Sequence, residues 1–439
     1  MKISAVGHAS LFIKDDNNNP LLLTDPWLLG SCYWRSWWLQ HYPTKNQFSE
    51  FQNVKYCYVT HEHPDHFHTP SIKKLGKKPI YLSPNLPEEN ITKHLNELGF
   101  NSKVLQSKKW HKISETVNIL SIPLFNDDSC LIIDTPNAFI INLNDSKPSK
   151  FQLRQIDKYL KSNSITKKRI VFNSYSPASI VNSFRKDSEY ISIKDKVDYV
   201  DYLNGVMKIL NADFFIPFAS QVIFYRPDSS WANEYKVTID DIKEYWNCDT
   251  KLLNPYSTVD LNSFEVSYID PKHYSRDENY ISTKVNEQID LEQKAEFTNS
   301  DLEKLSKKLR SHRLVLYPLF PKGIAFITDK EEFIFNTFSG KVKLLKNRDN
   351  YSFGIKLPLQ ALKDAVNFDH FADLGITMFT MLILNRTNNP KFIYLFFILI
   401  TFDDYRHFFD IKHFFRWIVS IFKNISWKIP NLNTALKIE

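Results

Sequence analysis

The segment "YVTHEHPDHFHTP" sets His61, His63, His66 and His68 within eight residues, with Glu62 and Asp65 between them. Imidazole and carboxylate are the ligands that borderline ions such as zinc and iron take. His61 and His63 are two residues apart, so in an extended stretch their side chains project to one side and can reach one ion. Pro64 then imposes a turn, after which Asp65 and His66 can face a second ion beside the first. By the same alternation Glu62 points away and is given no ligand role, and His68 extends the cluster without one. The competing reading is a solvated polar loop.

The flanking residues favour a placed loop. "KYCYVT" (Lys55–Thr60) reads as a buried strand that ends at the histidines. "TPSIKKLG" reads as a helix with Thr69 as N-cap, Pro70 at the first helical position and Gly76 at its end. Upstream, "KISAVG", "SLFIK" and "PLLLTD" read as a three-strand meander. Downstream, "PIYLS", "VNILSI", "SCLIID", "AFIINL", "RIVFNS" and "DFFIPFA" read as strands. "PEENITKHLNELGF", "FQLRQIDKYLKS" and "VDYVDYLNGVMKILNA" read as helices between them. Two successive strand sets flanked by helices predict an α/β sandwich with helices outside. After Ser257 the pattern changes to a charged linker and helix. Three hairpin strands, "GIAFITD", "EFIFNTF" and "KVKLLKN", and a mostly helical tail from Leu357 follow. We expect one unit over residues 1–262 and a C-terminal α+β appendage over residues 263–439, covering the cleft or docking on a membrane or partner.

Composition narrows the classes. At 43% hydrophobic and 15% aromatic, the 439 residues are too apolar for disorder. The net charge of +7 is spread along the chain, which argues against nucleic acid as a partner and suits an anionic small molecule or a membrane surface. Cys32, Cys57, Cys130 and Cys248 form no CxxC pair and read as free thiols of a reducing compartment, the cytoplasm. The N-terminus has no apolar signal segment. "FIYLFFILIT" is about half the length of a spanning helix and reads as a buried helix. The alternative is an interfacial helix continued by the basic, aromatic "RHFFDIKHFFRWIVSIFK", a peripheral membrane contact.

"HEHPDH" is similar to the H-x-H-x-D-H signature of the metallo-β-lactamase-fold superfamily, in the expected context between strand and helix. "VGHASLFIK" and "LLLTDPWLLGSCYWRSWWLQHYP" resemble the corresponding segment of the CMP-N-acetylneuraminate hydroxylases. The likeness continues in "SCLIIDTPNAFIINLND", which keeps the spacing from Cys130 to Asp145, and in "IPFASQVIFYRPDSS". It covers roughly residues 5 to 235, about half the chain.

The resemblance implies an αββα sandwich of metallo-β-lactamase type. It sets Asp145 where the superfamily has a metal-bridging aspartate, and His8 and Asp25 at loops near the cleft. The ligands it implies are His61, His63, Asp65, His66 and Asp145, with Asp65 and His8 as catalytic candidates and iron or zinc, one ion or two, as cofactor. There are departures. The superfamily's later histidine would fall at about Leu124, where only Asn126, Asp127 and Asp128 stand nearby. The final one would fall at about Arg226. A single ion, or one held partly by Asp127 or Asp128, is the alternative to a full two-metal site. The family also carries a Rieske cluster, which needs C-x-H and C-x-x-H pairs. None of the four cysteines has such a partner, so an oxygenase would draw electrons from a separate protein.

In "SCYWRSWWLQHYP" the functional reading is a substrate wall. Trp34, Trp37 and Trp38 would stack on a nucleobase or sugar face, and Arg35 would fork onto a phosphate or carboxylate, with Arg226 as a second cation. The competing reading is packing alone. Three functions follow: a hydroxylase-like metal enzyme on a sugar-nucleotide-like substrate, in which His61, His63 and Asp145 hold iron; a hydrolase in which metal-bound water attacks an ester, amide or phosphodiester, with Asp65 binding metal or orienting that water; and a non-catalytic binding descendant of the fold.

Overall fold

A computed structural model describes residues 1–87, 89–124, 128–176, 183–186, 189–190, 196–268, 276–345, 351–384, 390–404 and scattered positions between 411 and 422. Alternation along the first strands decides the layering. In Lys2–Val6, Ser10–Lys14, Pro20–Thr24 and Tyr56–Tyr58, Ile3, Leu11, Ile13, Leu22 and Tyr58 enter one core, while Val6, Phe12, Leu23 and Cys57 enter another on the opposite face. A strand apolar on both faces must be covered on both.

Eight strands form the first sheet, in the order Val266–Tyr268, Ser257–Asp260, Lys2–Val6, Ser10–Lys14, Pro20–Thr24, Tyr56–Tyr58, Ile80–Pro84 and Ser102–Leu105. The meander is antiparallel, and pairing from Pro20–Thr24 onward is parallel. The second sheet runs Lys251–Leu252, Phe214–Phe218, Lys168–Ser174, Ala138–Asn144, Ser129–Asp134, Asn118–Pro123 and Trp110–Lys112. Their shared core joins Ile3, Leu11, Leu22 and Leu82 to Ile119, Leu131, Ile140, Phe172 and Ile216. Each such side chain contributes about 1.5–3 kcal/mol on burial. Helices Lys45–Phe51, Thr69–Leu75 and Asn90–Glu97 cover the outer face of the first sheet through Phe51, Ile72 and Leu95. Helices Lys150–Asn163, Lys196–Leu210 and Ile239–Tyr245 cover the second. This is the expected αββα sandwich.

The third sheet belongs to the appendage, but it begins in the first half of the chain. Phe184–Lys186 pairs in parallel with Met381–Leu384, and Glu189–Tyr190 forms the sheet edge. Val266–Tyr268, conversely, pairs with Ser257–Asp260 in the first sheet. The sheets therefore do not divide at residue 262. Among the described residues the tail from Leu357 is mostly helical, as expected, with the strand Met381–Leu384 as the exception. Met381–Leu384 is a strand because it lies between Phe353–Lys356 and Phe184–Lys186. "FIYLFFILIT" lies in the helix Pro390–Asp404, where Ile393, Phe396, Phe397 and Ile400 are buried in the appendage core at helical spacing. No described helix is long and apolar enough to cross a membrane. The basic aromatic run after Asp404 lies largely outside the described residues.

Candidate metal centre

The candidate site sits where strands of both sheets end at one edge. His8 follows Lys2–Val6, Asp25 follows Pro20–Thr24, the histidine loop follows Tyr56–Tyr58, and Asp145 follows Ala138–Asn144. Gly7 turns the chain into His8 at φ 58°, a conformation costly for other residues, and a Cβ there would come 3.1 Å from the Trp27 carbonyl. Within the loop, the His63 carbonyl accepts from His66 N at 2.9 Å and Phe67 N at 2.7 Å. This tight turn swings Asp65 and His66 inward. His68 then caps the helix Thr69–Leu75, its Nδ1 accepting from Ser71 N at 3.3 Å. The cap is thus His68 and not Thr69.

His8, Asp65, His66 and Asp145 bring one ligand atom each within 4.8 Å of one another. His66 Nε2 is 3.2 Å from Asp145 Oδ2 and 3.4 Å from Asp65 Oδ2, and His8 Nε2 is 3.1 Å from Asp65 Oδ2. Neighbours orient these groups. Asp25 accepts from Thr60 N at 2.7 Å and holds His66 Nδ1 at 3.3 Å. Tyr33 donates to Asp65 Oδ1 at 2.5 Å. Such partners commonly fix ring orientation and ligand basicity in metal sites.

His61 and His63 lie in the same pocket but outside this four-residue cluster. Their rings meet edge-on, with His61 Nε2 2.9 Å from His63 Nδ1, and His61 Nδ1 is 3.2 Å from Asp128 Oδ1. The structure thus brings the expected ligands His61, His63, Asp65, His66 and Asp145 around one pocket, with the carboxylates of Asp65 and Asp145 drawn to His8 and His66. Asp128 stands beside His61 in the region where the later histidine was expected, Leu124 is a buried apolar residue, and Asn126 and Asp127 lie outside the described residues.

The electrostatics call for a cation. Burial pulls the His66 imidazolium down, yet Asp65, Asp25 and Asp145 outweigh it and hold its pKa well above the ordinary value. Burial pushes Asp65 and Asp145 up, but His66 above all holds both below the usual carboxylate range. Burial and the charge on His61 press His63 down to about 4, so it is neutral. Burial and Asp65 raise the Tyr33 phenol, which stays a donor. Both ring nitrogens of His8 are buried without an aligned hydrogen bond, although Nε2 is close to Asp65. Unpartnered buried donor atoms are rare and costly. Two imidazoles and two carboxylates with such an orphan suit zinc or iron.

The aromatic run is divided by strand alternation. Trp37, in Trp37–Leu39, lines the pocket with Tyr33, Phe224 and the appendage residue Ile376. Trp38 points oppositely onto Ile281 and Val285. Trp34 donates to Asp364 at 2.9 Å. Arg35 donates to the Lys284 carbonyl and pairs with Glu287 at 3.2 Å. Arg226 is 1% exposed and forks onto Glu292 at 2.7 and 2.8 Å and onto Asp228 at 2.9 and 2.8 Å. The expected wall is corrected accordingly. Of its five residues only Trp37 lines the pocket, and both arginines are held by carboxylates. Sequence reasoning missed the polar side of the pocket, which holds Lys147, Ser174, Ser176, Ser220 and Lys236. No motif marks these residues, because only the ends of Ala138–Asn144, Lys168–Ser174 and Phe214–Phe218 and the segment before Ile239–Tyr245 bring them together.

No family model matches the chain. It is 23% identical over 253 residues to the cytidine monophosphate-N-acetylneuraminic acid hydroxylase of Xenopus laevis, covering 55% of this chain and 41% of that relative. The chain thus spans less than half the length of that protein. Among solved structures it is similar to an isothiocyanate hydrolase from Delia radicum gut bacteria, at a TM-score of 0.42 and 15% identity over 59% of this chain and 99% of that one. It is also similar to the metallo-beta-lactamase fold protein YhfI of Bacillus subtilis, at a TM-score of 0.37 and 9% identity over 58% of this chain and 95% of that one. The αββα sandwich is the architecture that the H-x-H-x-D-H resemblance implies, and the sequence resembles the CMP-N-acetylneuraminate hydroxylases.

Proposed function

We propose that the chain is a metal-dependent enzyme acting on an anionic, sugar-nucleotide-like substrate. The observation that carries this reading is the buried His8–Asp65–His66–Asp145 cluster opening into one pocket with an aromatic wall and two lysines. The name of the Xenopus relative supplies the substrate class. An ion bound there would supply oxygen chemistry if iron, or Lewis acidity and an acidified water if zinc. The chain's own residues do the rest. Asp25 and Tyr33 orient His66 and Asp65. His61 Nε2 and His63 Nδ1 lie 2.9 Å apart beside the reacting groups, with Asp128 behind His61, where they can bind an ion or relay a proton. Hydroxylation is the first reading and would take electrons from a separate donor protein. Hydrolysis is the second reading: Asp65 would bind or orient the attacking water, and no electrons are needed.

All four cysteines are free, and Cys32, Cys57 and Cys130 are buried, which supports a reducing, cytoplasmic setting. Ile411, Phe415, Val419 and Phe422 are exposed at helical spacing, which supports peripheral membrane contact of the tail. The deciding experiment is metal analysis of protein purified without chelator, followed by two assays. Iron with oxygen consumption on CMP-N-acetylneuraminate and an added donor supports hydroxylation. Zinc or manganese with ester or phosphodiester cleavage supports hydrolysis. Metal-free protein that still binds the nucleotide would make the chain a non-catalytic binder.

A further inference from the structure

We propose that Lys236 is the anion-binding residue of this pocket, receiving the phosphate or carboxylate group of the substrate. The inference rests on the reading above and deepens it, because Arg35 and Arg226 are both engaged elsewhere. Lys236 lines the pocket together with His8, Asp65 and Asp145. Its Nζ donates to the Val222 carbonyl, and no carboxylate among the described residues lies within ion-pair distance of it. An ammonium has three donors, so two remain for a ligand. Burial, and then the charge of Arg276, draws its pKa down to about 8, the mark of a cation lacking a counter-charge.

The backbone around Lys236 is anchored. Val237 N donates to Ser176 Oγ at 2.9 Å, and Tyr175 N and Ser176 N each donate to Ser220 Oγ at 3.1 Å. Ser174, Ser176 and Ser220 line the same side of the pocket and add hydroxyls. Trp37, Val222, Phe224 and Ile376 provide the apolar wall for a base or sugar face. An anion seated at Lys236 gains a charge-assisted hydrogen bond in a partly dry site, where such bonds are strongest.

Full-length protein is titrated with cytidine 5′-monophosphate, inorganic phosphate, N-acetylneuraminate and uncharged cytidine, following tryptophan fluorescence. Metal content and melting temperature are measured alongside. Lys236→Met should weaken the anions by about tenfold or more and leave cytidine, metal content and melting temperature unchanged. Lys236→Arg should restore most of the affinity. Loss for the phosphate ligands alone assigns the subsite to phosphate, and loss for N-acetylneuraminate alone assigns it to carboxylate. Equal anion affinity in wild type and Lys236→Met overturns the proposal, as does a wild type that binds none of the anions. A parallel fall in cytidine binding and melting temperature, unrescued by arginine, also overturns it, since Lys236 would then only pin Val222. Lys236-dependent anion binding by protein that holds no metal would keep the subsite and remove the metal-enzyme reading.

Discussion

Replacing Glu292 by Ala breaks a buried ion pair that joins the sandwich to the appendage. The Arg226 guanidinium is 1% exposed and Glu292 5% exposed, and two hydrogen bonds of 2.7 and 2.8 Å join them. Removing one partner of a buried pair leaves an uncompensated charge and costs about 3–5 kcal/mol. Asp228 would still accept from Nε and Nη2, so the expected loss lies at the low end, ~3 kcal/mol. A second consequence reaches the metal centre. Arg226 Nη1 also donates to the Trp34 carbonyl at 3.0 Å. Trp34 is the middle of three successive left-handed residues, Tyr33, Trp34 and Arg35, at φ 52°, 52° and 60°. Each costs roughly 1–2 kcal/mol outside glycine, so the turn depends on tertiary support, and it delivers Tyr33 to Asp65. Glu292→Ala should therefore weaken metal binding as well as the fold. Urea titrations, followed by fluorescence and far-UV circular dichroism to check for a single transition, give the stability change. A chelator competition gives the metal affinity. Arg226→Met with Glu292→Leu should recover most of the stability, since packed apolar pairs commonly replace buried ion pairs well, but not the metal affinity, because the Trp34 carbonyl loses its donor. A loss below about 1 kcal/mol for Glu292→Ala, or no recovery in the double variant, would refute the reasoning.

Other outcomes follow from the same geometry. His66→Ala with Asp145→Ala should abolish tight metal binding, whereas His61→Ala with His63→Ala should leave at least one ion; metal analysis showing the reverse would return the site to His61 and His63. Tyr33→Phe removes the donor to Asp65 Oδ1 and should weaken metal binding by about 10–100-fold, as loss of orienting partners does, in a chelator competition with little change in melting temperature. Arg35→Ala should leave ligand affinity unchanged in a nucleotide titration, since Arg35 is held by the Lys284 carbonyl and Glu287 and does not line the pocket; a tenfold loss would restore the substrate-wall role. Burial holds His312 neutral, with a pKa down to about 4 against 6.5 unfolded. Its contribution is fully present above pH 6.5 and is lost as pH falls toward 4, because the unfolded chain binds the extra proton, at up to ~1.4 kcal/mol per pH unit. Urea midpoints at pH 7 and pH 5 should therefore lie closer together for His312→Asn than for wild type.

Local chemistry was enough for the sandwich and for the loop. The two-residue alternation in "SLFIK" specifies which side chains enter which core, whereas in "PLLLTD" Leu21 and Leu22 both enter the inter-sheet core beside a register shift and only Leu23 turns to the other face. The resemblance named His8, Asp25 and Asp145; His8 and Asp145 line the pocket, and Asp25 stands behind His66. Spacing alone left open which groups meet there. It describes what two neighbours can reach, not what comes from elsewhere, and His8 and Asp145 arrive from strands 57 residues before and 80 residues after Asp65. Tertiary structure also decided the fate of the arginines. "CYWRSWW" and "FYRPDSS" advertise cations, but Glu287 and Glu292 lie on the helix Glu278–Glu292, outside the region of resemblance, and they neutralise both. Lys236 shows the converse: an unremarkable lysine in sequence becomes a cation of the pocket because the sheet ends place it there with no described carboxylate within ion-pair distance. Sequence determines the period and type of each group. Which charges meet, and which are left without a partner, is set by long-range packing that no local window contains.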